Sequence, residues 1–195
     1  MYNFLSGIVL KNGDLITSEY TDSHDLLVLS AGLKERKYPQ EMGWIKVKYA
    51  SDNPCDIETY ELTVDETDTP EWFDSDMREK ITAKMHRLVS KCILTEGEIP
   101  LLLGGKWVLG GIVNVKQAYS ANIICMWGTS QVGTMRENSQ VGMMWETSQV
   151  GEMWENSRVG TMWGTSRVGE MWETSRVGTM RGTSQVGYDK REKSE

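Results

Sequence analysis

From Met126 to Tyr188 the chain repeats one nine-residue unit seven times, as MWGTSQVGT, MRENSQVGM, MWETSQVGE, MWENSRVGT, MWGTSRVGE, MWETSRVGT and MRGTSQVGY. Four positions never change: the Met, the Ser, the Val and the Gly that follows the Val. Glycine, serine, threonine and asparagine disfavour a helix, and the recurring Met and Val disfavour a disordered linker. The pattern predicts a parallel β-helix-like solenoid of short strands, with the invariant glycine at the corners.

Two consecutive units form one coil of about 18 residues in the predicted solenoid. Sorted in this way, identical residues fall into columns, such as Thr129, Thr147, Thr165 and Thr183, or Glu137, Glu155 and Glu173. If three units made one coil, different residues would share a column, such as Thr129 with Asn156. The same columns would arise if 18 residues were only the unit of gene duplication, and the sequence leaves both explanations open.

Strand alternation places the Met, the Val and the small Ser inside the solenoid, and the Trp/Arg and Gln/Arg positions outside. Neighbours in a column lie one strand spacing apart, about 4.8 Å, so indoles can stack and an arginine can cover an end ring. The tryptophans either cover the sides of the solenoid or form a binding surface, and Trp and Arg are enriched in binding hot spots. The candidate binding residues are one column of Trp127, Trp145, Trp163 and Arg181, a second of Arg136, Trp154 and Trp172, and the outward Arg158 and Arg176.

Residues 1–103 predict a small α+β domain. Asn12-Gly13 is a strong hairpin signal, Ser23 can cap a short helix, and residues 44–49 and 60–64 read as strands. Thr69-Pro70-Glu71 predicts the start of a long amphipathic helix over about 70–93. Residues 104–125 are predicted to cap the solenoid core, and residues 189–195 to form a disordered charged tail.

The sequence offers little catalytic or metal-binding chemistry, so we expect no catalytic residue, no metal and no other cofactor. Neither His24 nor His86 has a partner at zinc spacing, and residues 126–188 contain no aspartate for calcium-binding repeats. An enzyme would need its site in residues 1–125, around His24 or the acidic segment 56–76. That segment holds no Lys or Arg and is either a solvated face or a site for a basic partner or a divalent cation.

Charge and hydropathy narrow the partners further. The net charge is −7, and residues 126–188 hold five arginines and six glutamates, whereas nucleic-acid binders carry a basic surface. No run of 18 apolar residues suggests a membrane span, and the N-terminus lacks the basic region of a signal peptide. Cys55, Cys92 and Cys125 read as reduced thiols. We therefore expect a cytoplasmic protein that binds neither nucleic acid nor membrane.

The MWxxSxVGx units and the Thr-Pro-Glu-Trp-Phe segment at 69–73 carry a resemblance over residues 60–188. In these features the chain resembles uncharacterised proteins of phages and mobile elements that place a small α/β domain before tandem nonapeptide repeats. The resemblance brings no activity with it. It implies an array that expands and contracts quickly, which suits a variable recognition surface in the cytoplasm of a bacterial host.

The leading hypothesis is a non-enzymatic solenoid that presents its Trp, Arg and Gln columns to a protein, such as a host defence factor if the gene is carried by a phage. An alternative is a carbohydrate-binding or surface-adhesion solenoid whose tryptophans stack on sugar rings. Ice binding by the threonine column and catalysis are less favoured. Oligomers could form through the ends or faces of the solenoid.

Overall fold

The computed structural model describes residues 2–18, 21–33 and 43–190, and these fall into two compact units divided between Lys91 and Cys92. The expected boundary at residue 103 is therefore too late. Strands within residues 93–103 already belong to the solenoid sheets, so the solenoid takes in the segment that the sequence assigns to the first domain. No helix in the described ranges is long and apolar enough to cross a membrane.

The first unit is a four-stranded antiparallel sheet with one helix on each face. Ile8 clusters with Leu27 and Val28, whereas the adjacent Gly7 faces Met85, and successive strand residues point to opposite faces. Its elements are β1 (Tyr2–Leu10), β2 (Leu15–Ile16), α1 (His24–Ser30), β3 (Trp44–Ser51), a short 3₁₀ helix (Ile57–Thr59), β4 (Glu61–Val64) and α2 (Ser75–Ser90), with sheet order β2-β1-β3-β4.

The local signals in this unit are mostly confirmed. The Asn12-Gly13 turn joins β1 to β2, and the Ser23 side chain accepts the backbone N–H of Leu26 at the start of α1. The long helix begins later than expected, because Asp74 is its N-cap and accepts from the Met77 N–H at 2.9 Å. Pro70 instead lies in a turn whose carbonyl accepts the N–H of Phe73.

The second unit is a parallel β-solenoid of about five turns. Its register pairs Val132 with Val150 and Val141 with Val159, so 18 residues per coil is confirmed. One sheet, the B sheet, contains β5 (Ile93–Leu94), β7 (Lys106–Leu109), β9 (Asn122–Met126), β11 (Gln140–Met144), β13 (Arg158–Met162) and β15 (Arg176–Met180). The other, the C sheet, contains β6 (Glu98–Leu103), β8 (Asn114–Tyr119), β10 (Gln131–Arg136), β12 (Gln149–Met153), β14 (Arg167–Trp172) and β16 (Gln185–Lys190).

The invariant Met, Val and Ser form the interior of the solenoid, as predicted. Val132, Val150 and Val168 are buried in the C sheet. The buried methionines are Met126, Met135, Met144, Met153, Met162 and Met171, and the buried serines are Ser130, Ser139, Ser148, Ser157, Ser166 and Ser175. Burial falls in the last coil, where Val177 and Val186 are half-buried and Met180 is exposed. The Gln/Arg position is exposed in every repeat.

The invariant glycine after Val is not at a corner, as the sequence suggested, but inside a strand. A Cβ atom built on Gly151 would lie 2.5 Å from the carbonyl oxygen of Gly133, and one on Gly160 would lie 2.5 Å from that of Gly142. These contacts are between backbones of successive coils, which neither side can relieve by rotating a side chain. Glycine is therefore required by the close approach of the coils and not by a turn.

Two smaller expectations need correction. Asp189 and Lys190 end β16 and do not form a tail, and the rest of the predicted tail, 191–195, lies outside the described residues. Cys55 and Cys125 are not free thiols, contrary to expectation, whereas Cys92 is outside a disulfide. Disulfides persist mainly in oxidising compartments, so the cysteines no longer support a cytoplasmic location.

Candidate binding surface on the solenoid

The candidate residues lie in three separate places on the solenoid. The turns from the B sheet to the C sheet form one edge, here called the first edge, and carry Trp127, Trp145, Trp163 and Arg181. The return turns form the opposite, second edge and carry Arg136, Trp154 and Trp172. Arg158 and Arg176 pair in register on the outer face of the B sheet. The structure therefore does not bring all the predicted residues into one site.

The turns at both edges are built on a residue with positive φ. Gly128 and Gly164 have φ of 68° at the first edge, whereas Glu146 between them has φ of 57°. A non-glycine residue rarely adopts this conformation. The Glu146 carboxylate accepts the backbone N–H of Gly128 at 2.9 Å, and Glu155 at the second edge likewise accepts from the N–H of Glu137. These hydrogen bonds to the preceding coil give the glutamates a structural role that sequence reasoning missed.

The threonine column at the first edge is structural as well. Thr147 Oγ1 donates to the carbonyl of Gly128 at 2.9 Å, and Thr165 Oγ1 to that of Glu146 at 3.1 Å. Each hydroxyl thus uses its single proton on the preceding coil. The column therefore provides a regular set of links between successive coils.

The second-edge stack consists of Trp154 and Trp172, whose ring centroids are 4.7 Å apart at an interplanar angle of 3°. Arg136 lies over Trp154 at 5.4 Å, and Lys190 lies over Trp172 at 4.2 Å. The indole N–H groups donate to Glu152 at 2.8 Å and to Glu170 at 3.2 Å, respectively. Both faces and both N–H groups are used within the solenoid, so this stack is a structural element.

The first-edge pair consists of Trp145 and Trp163, and it differs in each of these respects. The ring centroids are 6.3 Å apart and the planes are tilted by 33°. Trp145 is 46% exposed and Trp163 39% exposed, whereas both second-edge tryptophans are only partly exposed. Neither indole N–H of this pair has a hydrogen-bond partner among the described residues. Large aromatic area and unused donors make the pair the best candidate for contact with another molecule.

Trp127 belongs to the first edge by sequence but not to the pair. A Cβ built on Gly110 would lie 2.1 Å from Cζ2 of Trp127, so the indole occupies the space that the glycine leaves in the preceding coil. Trp127 makes no ring contact with Trp145 within the part of the chain that the structure covers. The predicted column of three stacked tryptophans is therefore a stack of two, and Arg181 covers its far end at 4.8 Å from the Trp163 ring.

The acidic segment 56–76 of the first unit is held mainly by contacts within that unit. Asp56 and Asp74 cap helices, and Glu66 accepts the N–H of Lys46 at 3.1 Å. Asp65 lies 2.8 Å from Lys48 Nζ and 3.1 Å from Nδ1 of the buried His24. In the described ranges no group of three or more His, Cys, Asp or Glu side chains is placed to hold a metal ion.

The Asp65 ion pair should make the stability of the first unit depend on pH. The hydrogen bond from Lys48 lowers the pKa of Asp65 by more than burial raises it. The pair therefore stabilises the fold above the unfolded pKa of about 3.8, and this contribution is lost as the pH falls through the lower folded pKa. Asp65→Asn should lower the melting temperature at pH 7, and calorimetry from pH 7 to pH 3 should show the difference from the parent shrinking. A difference that stays constant to pH 3 would contradict this assignment.

Comparisons of the chain with protein-family models, with curated proteins and with solved structures find no match.

Proposed function

We propose that the chain is a non-enzymatic binding protein whose solenoid presents the first-edge Trp145–Trp163 pair to a protein partner. The observation that carries the proposal is the contrast between the two edges. At the second edge the tryptophans stack on each other and donate their N–H groups to glutamates of the same chain. At the first edge about two fifths of each tryptophan is exposed, and neither indole N–H has a partner among the described residues. Exposed tryptophan with unused donors is the residue type that anchors protein interfaces.

The surroundings of the pair suit a protein interface. The outer faces beside it carry polar columns, with Gln149 and Arg167 in the C sheet and Arg158 and Arg176 in the B sheet. A polar rim around an aromatic centre is typical of such interfaces. A sugar ring has less support as the ligand, because Arg181 covers the outer face of Trp163 at 4.8 Å and leaves Trp145 as the one indole of the pair without a cation over its outer face among the described residues.

The repeat architecture suits a surface that changes in length. Each coil consists of two consecutive nine-residue units. Gain or loss of 18 residues would therefore add or remove one whole coil, which lengthens or shortens both edges and leaves the structure of the other coils unchanged. If the gene is carried by a phage, as the resemblance implies, the partner is a protein of the bacterial host.

A pair of double variants tests the proposal. Trp145→Ala with Trp163→Ala should weaken partner binding by about 30-fold or more, as for loss of a hot spot, with little change in melting temperature. The matched control, Trp154→Ala with Trp172→Ala, removes two tryptophans from the internally bonded stack. It should lower the melting temperature and leave binding unchanged below that temperature. Capture from a host lysate and thermal unfolding are measured side by side on the full-length chain.

The reverse pattern would overturn the proposal. If the first-edge variant melts early and still captures the partner, the pair is structural cover. If it melts normally and captures every partner of the parent protein, the recognition surface lies elsewhere, and the acidic segment 56–76 is the next region to test.

A further inference from the structure

The two indole stacks have four outer ring faces, and three of them are covered by a cation from the same chain. At the second edge Arg136 covers Trp154 and Lys190 covers Trp172, with distances to the ring centroids of 5.4 Å and 4.2 Å. At the first edge Arg181 covers Trp163 at 4.8 Å. Arg136 and Arg181 stand at the Trp position of the repeat in the adjacent coil, and Lys190 pairs in register with Trp172. A cation over an indole face is thus how this solenoid ends its stacks.

The fourth face is that of Trp145 on the side away from Trp163, and no cation among the described residues covers it. The residue that precedes Trp145 in the column is Trp127, where the second edge has Arg136 before Trp154. Trp127 makes no ring contact with Trp145, because its indole occupies the space beside Gly110 in the coil before. Among the described residues no aromatic ring and no cation is therefore stacked on this face, and Trp145 is the more exposed indole of the pair at 46%.

We propose that this open face of Trp145 is a binding site for an arginine side chain of the protein partner. The site deepens the proposed function, on which it rests, by naming the group that the first edge recognises. A guanidinium is flat, remains charged at all physiological pH values and stacks readily on tryptophan. It would take the place that Arg136 takes on Trp154 at the opposite edge.

Charge around the open face favours a cation. The Glu146 carboxylate is held by the N–H of Gly128, so a negative group sits in the turn residues that follow Trp127 and Trp145. The repeats contain no lysine and carry five arginines against six glutamates, and the whole chain has a net charge of −7. A basic partner segment would therefore be attracted to the solenoid before the stacking contact forms.

Titration with a small peptide tests the site directly. The probe is acetyl-Gly-Arg-Gly-amide, compared at constant ionic strength with its citrulline counterpart, which keeps the shape and loses the charge. Binding is followed through the indole N–H resonances of the full-length protein, with the Trp145 signal assigned by Trp145→Phe. We expect the arginine peptide to shift the Trp145 resonance, and the citrulline peptide to bind about five-fold more weakly, as for loss of a cation–π contact of about 1 kcal/mol.

Trp127→Arg should close the site from within the chain. It recreates at the first edge the Arg-before-Trp order of Arg136 and Trp154, so it should abolish the peptide-induced shift in a protein that is still folded at the temperature of the titration, as checked by circular dichroism. Asn138→Arg is the matched control: it adds the same charge at an exposed position of the opposite, second edge, and it should bind the peptide as the parent does. Trp145→Leu, which keeps an apolar side chain without the indole, should also lose binding.

Three results would overturn the inference. These are equal shifts with the arginine and citrulline peptides, unchanged peptide binding by Trp127→Arg, or equal loss of binding in Trp127→Arg and Asn138→Arg. Its failure is distinguishable from failure of the proposed function. If Trp145→Ala with Trp163→Ala loses partner capture and Trp127→Arg captures normally, the edge is a binding surface that does not recognise arginine at this face.

Discussion

Val150→Asp should unfold or aggregate the solenoid. Val150 belongs to the buried apolar cluster and pairs in register with Val132 on one side and Val168 on the other, so an aspartate there would be buried without a cation to pair with it. Burying an unpaired carboxylate costs several kcal/mol, which is a large part of the stability of a domain of this size. Circular dichroism, size-exclusion chromatography and thermal unfolding of the variant would show the loss.

Gln149→Asp is the control for Val150→Asp, because it places the same side chain at the adjacent, exposed position. It should leave the melting temperature within a few degrees of the parent, as is usual for surface substitutions. The two variants together separate the effect of a buried charge from that of an added charge. A soluble Val150→Asp protein with an unchanged melting temperature would contradict the inward position of the valine column.

Gly151→Ala should destabilise the middle of the solenoid through a backbone clash. The new Cβ would lie 2.5 Å from the Gly133 carbonyl oxygen, and that oxygen belongs to the neighbouring coil. Overpacking of this kind typically costs about 1–3 kcal/mol, and here relief requires two coils to separate. Because each coil contacts only its neighbours, the damage should appear as faster amide exchange in β10 and β12.

Gly164→Glu is the matched control for Gly151→Ala. Gly164 has a positive φ of 68°, yet Glu146 occupies the same column with φ of 57° and its carboxylate bonds to the preceding coil. A larger side chain at the edge should therefore be tolerated where a single methyl group at the strand glycine is not. Equal melting temperatures for Gly151→Ala and the parent would show that the coils have room between them.

Much of the fold could be predicted from the sequence because the repeats average out local ambiguity. Seven copies of one unit place several residues in each column. The 18-residue coil and the burial of Met, Val and Ser could therefore be predicted from the sequence. The start of α2 was less readable, because Pro70 and Asp74 both resemble helix starts and only Asp74 reaches the N–H of Met77. The solenoid boundary was missed because β5 and β6 lie in degenerate coils without the repeat motif.

The glycine after Val shows why an invariant residue can be assigned the wrong cause. From the sequence alone, invariance suggests a turn that needs positive φ. In the structure the turns tolerate either Gly128 or Glu146, and the invariant Gly133 lies in a strand against the backbone of another coil. The distance between coils is a property of the stacked array, which no single unit encodes.

By itself, the sequence determined the repeat, favoured an 18-residue coil, and placed the Gln/Arg position and two columns of tryptophan and arginine on the outside of the solenoid. Only the tertiary structure decided which tryptophans remain open to a partner. Trp154 and Trp145 occupy the same position of the same unit, but Trp154 has an arginine one coil before it and a glutamate within reach of its N–H. In the Trp145 column the residue one coil before is Trp127, whose indole occupies the space beside Gly110. The difference arises because ring stacking and hydrogen bonding depend on the residues of adjacent coils, which lie 18 positions apart in the sequence and meet only after folding.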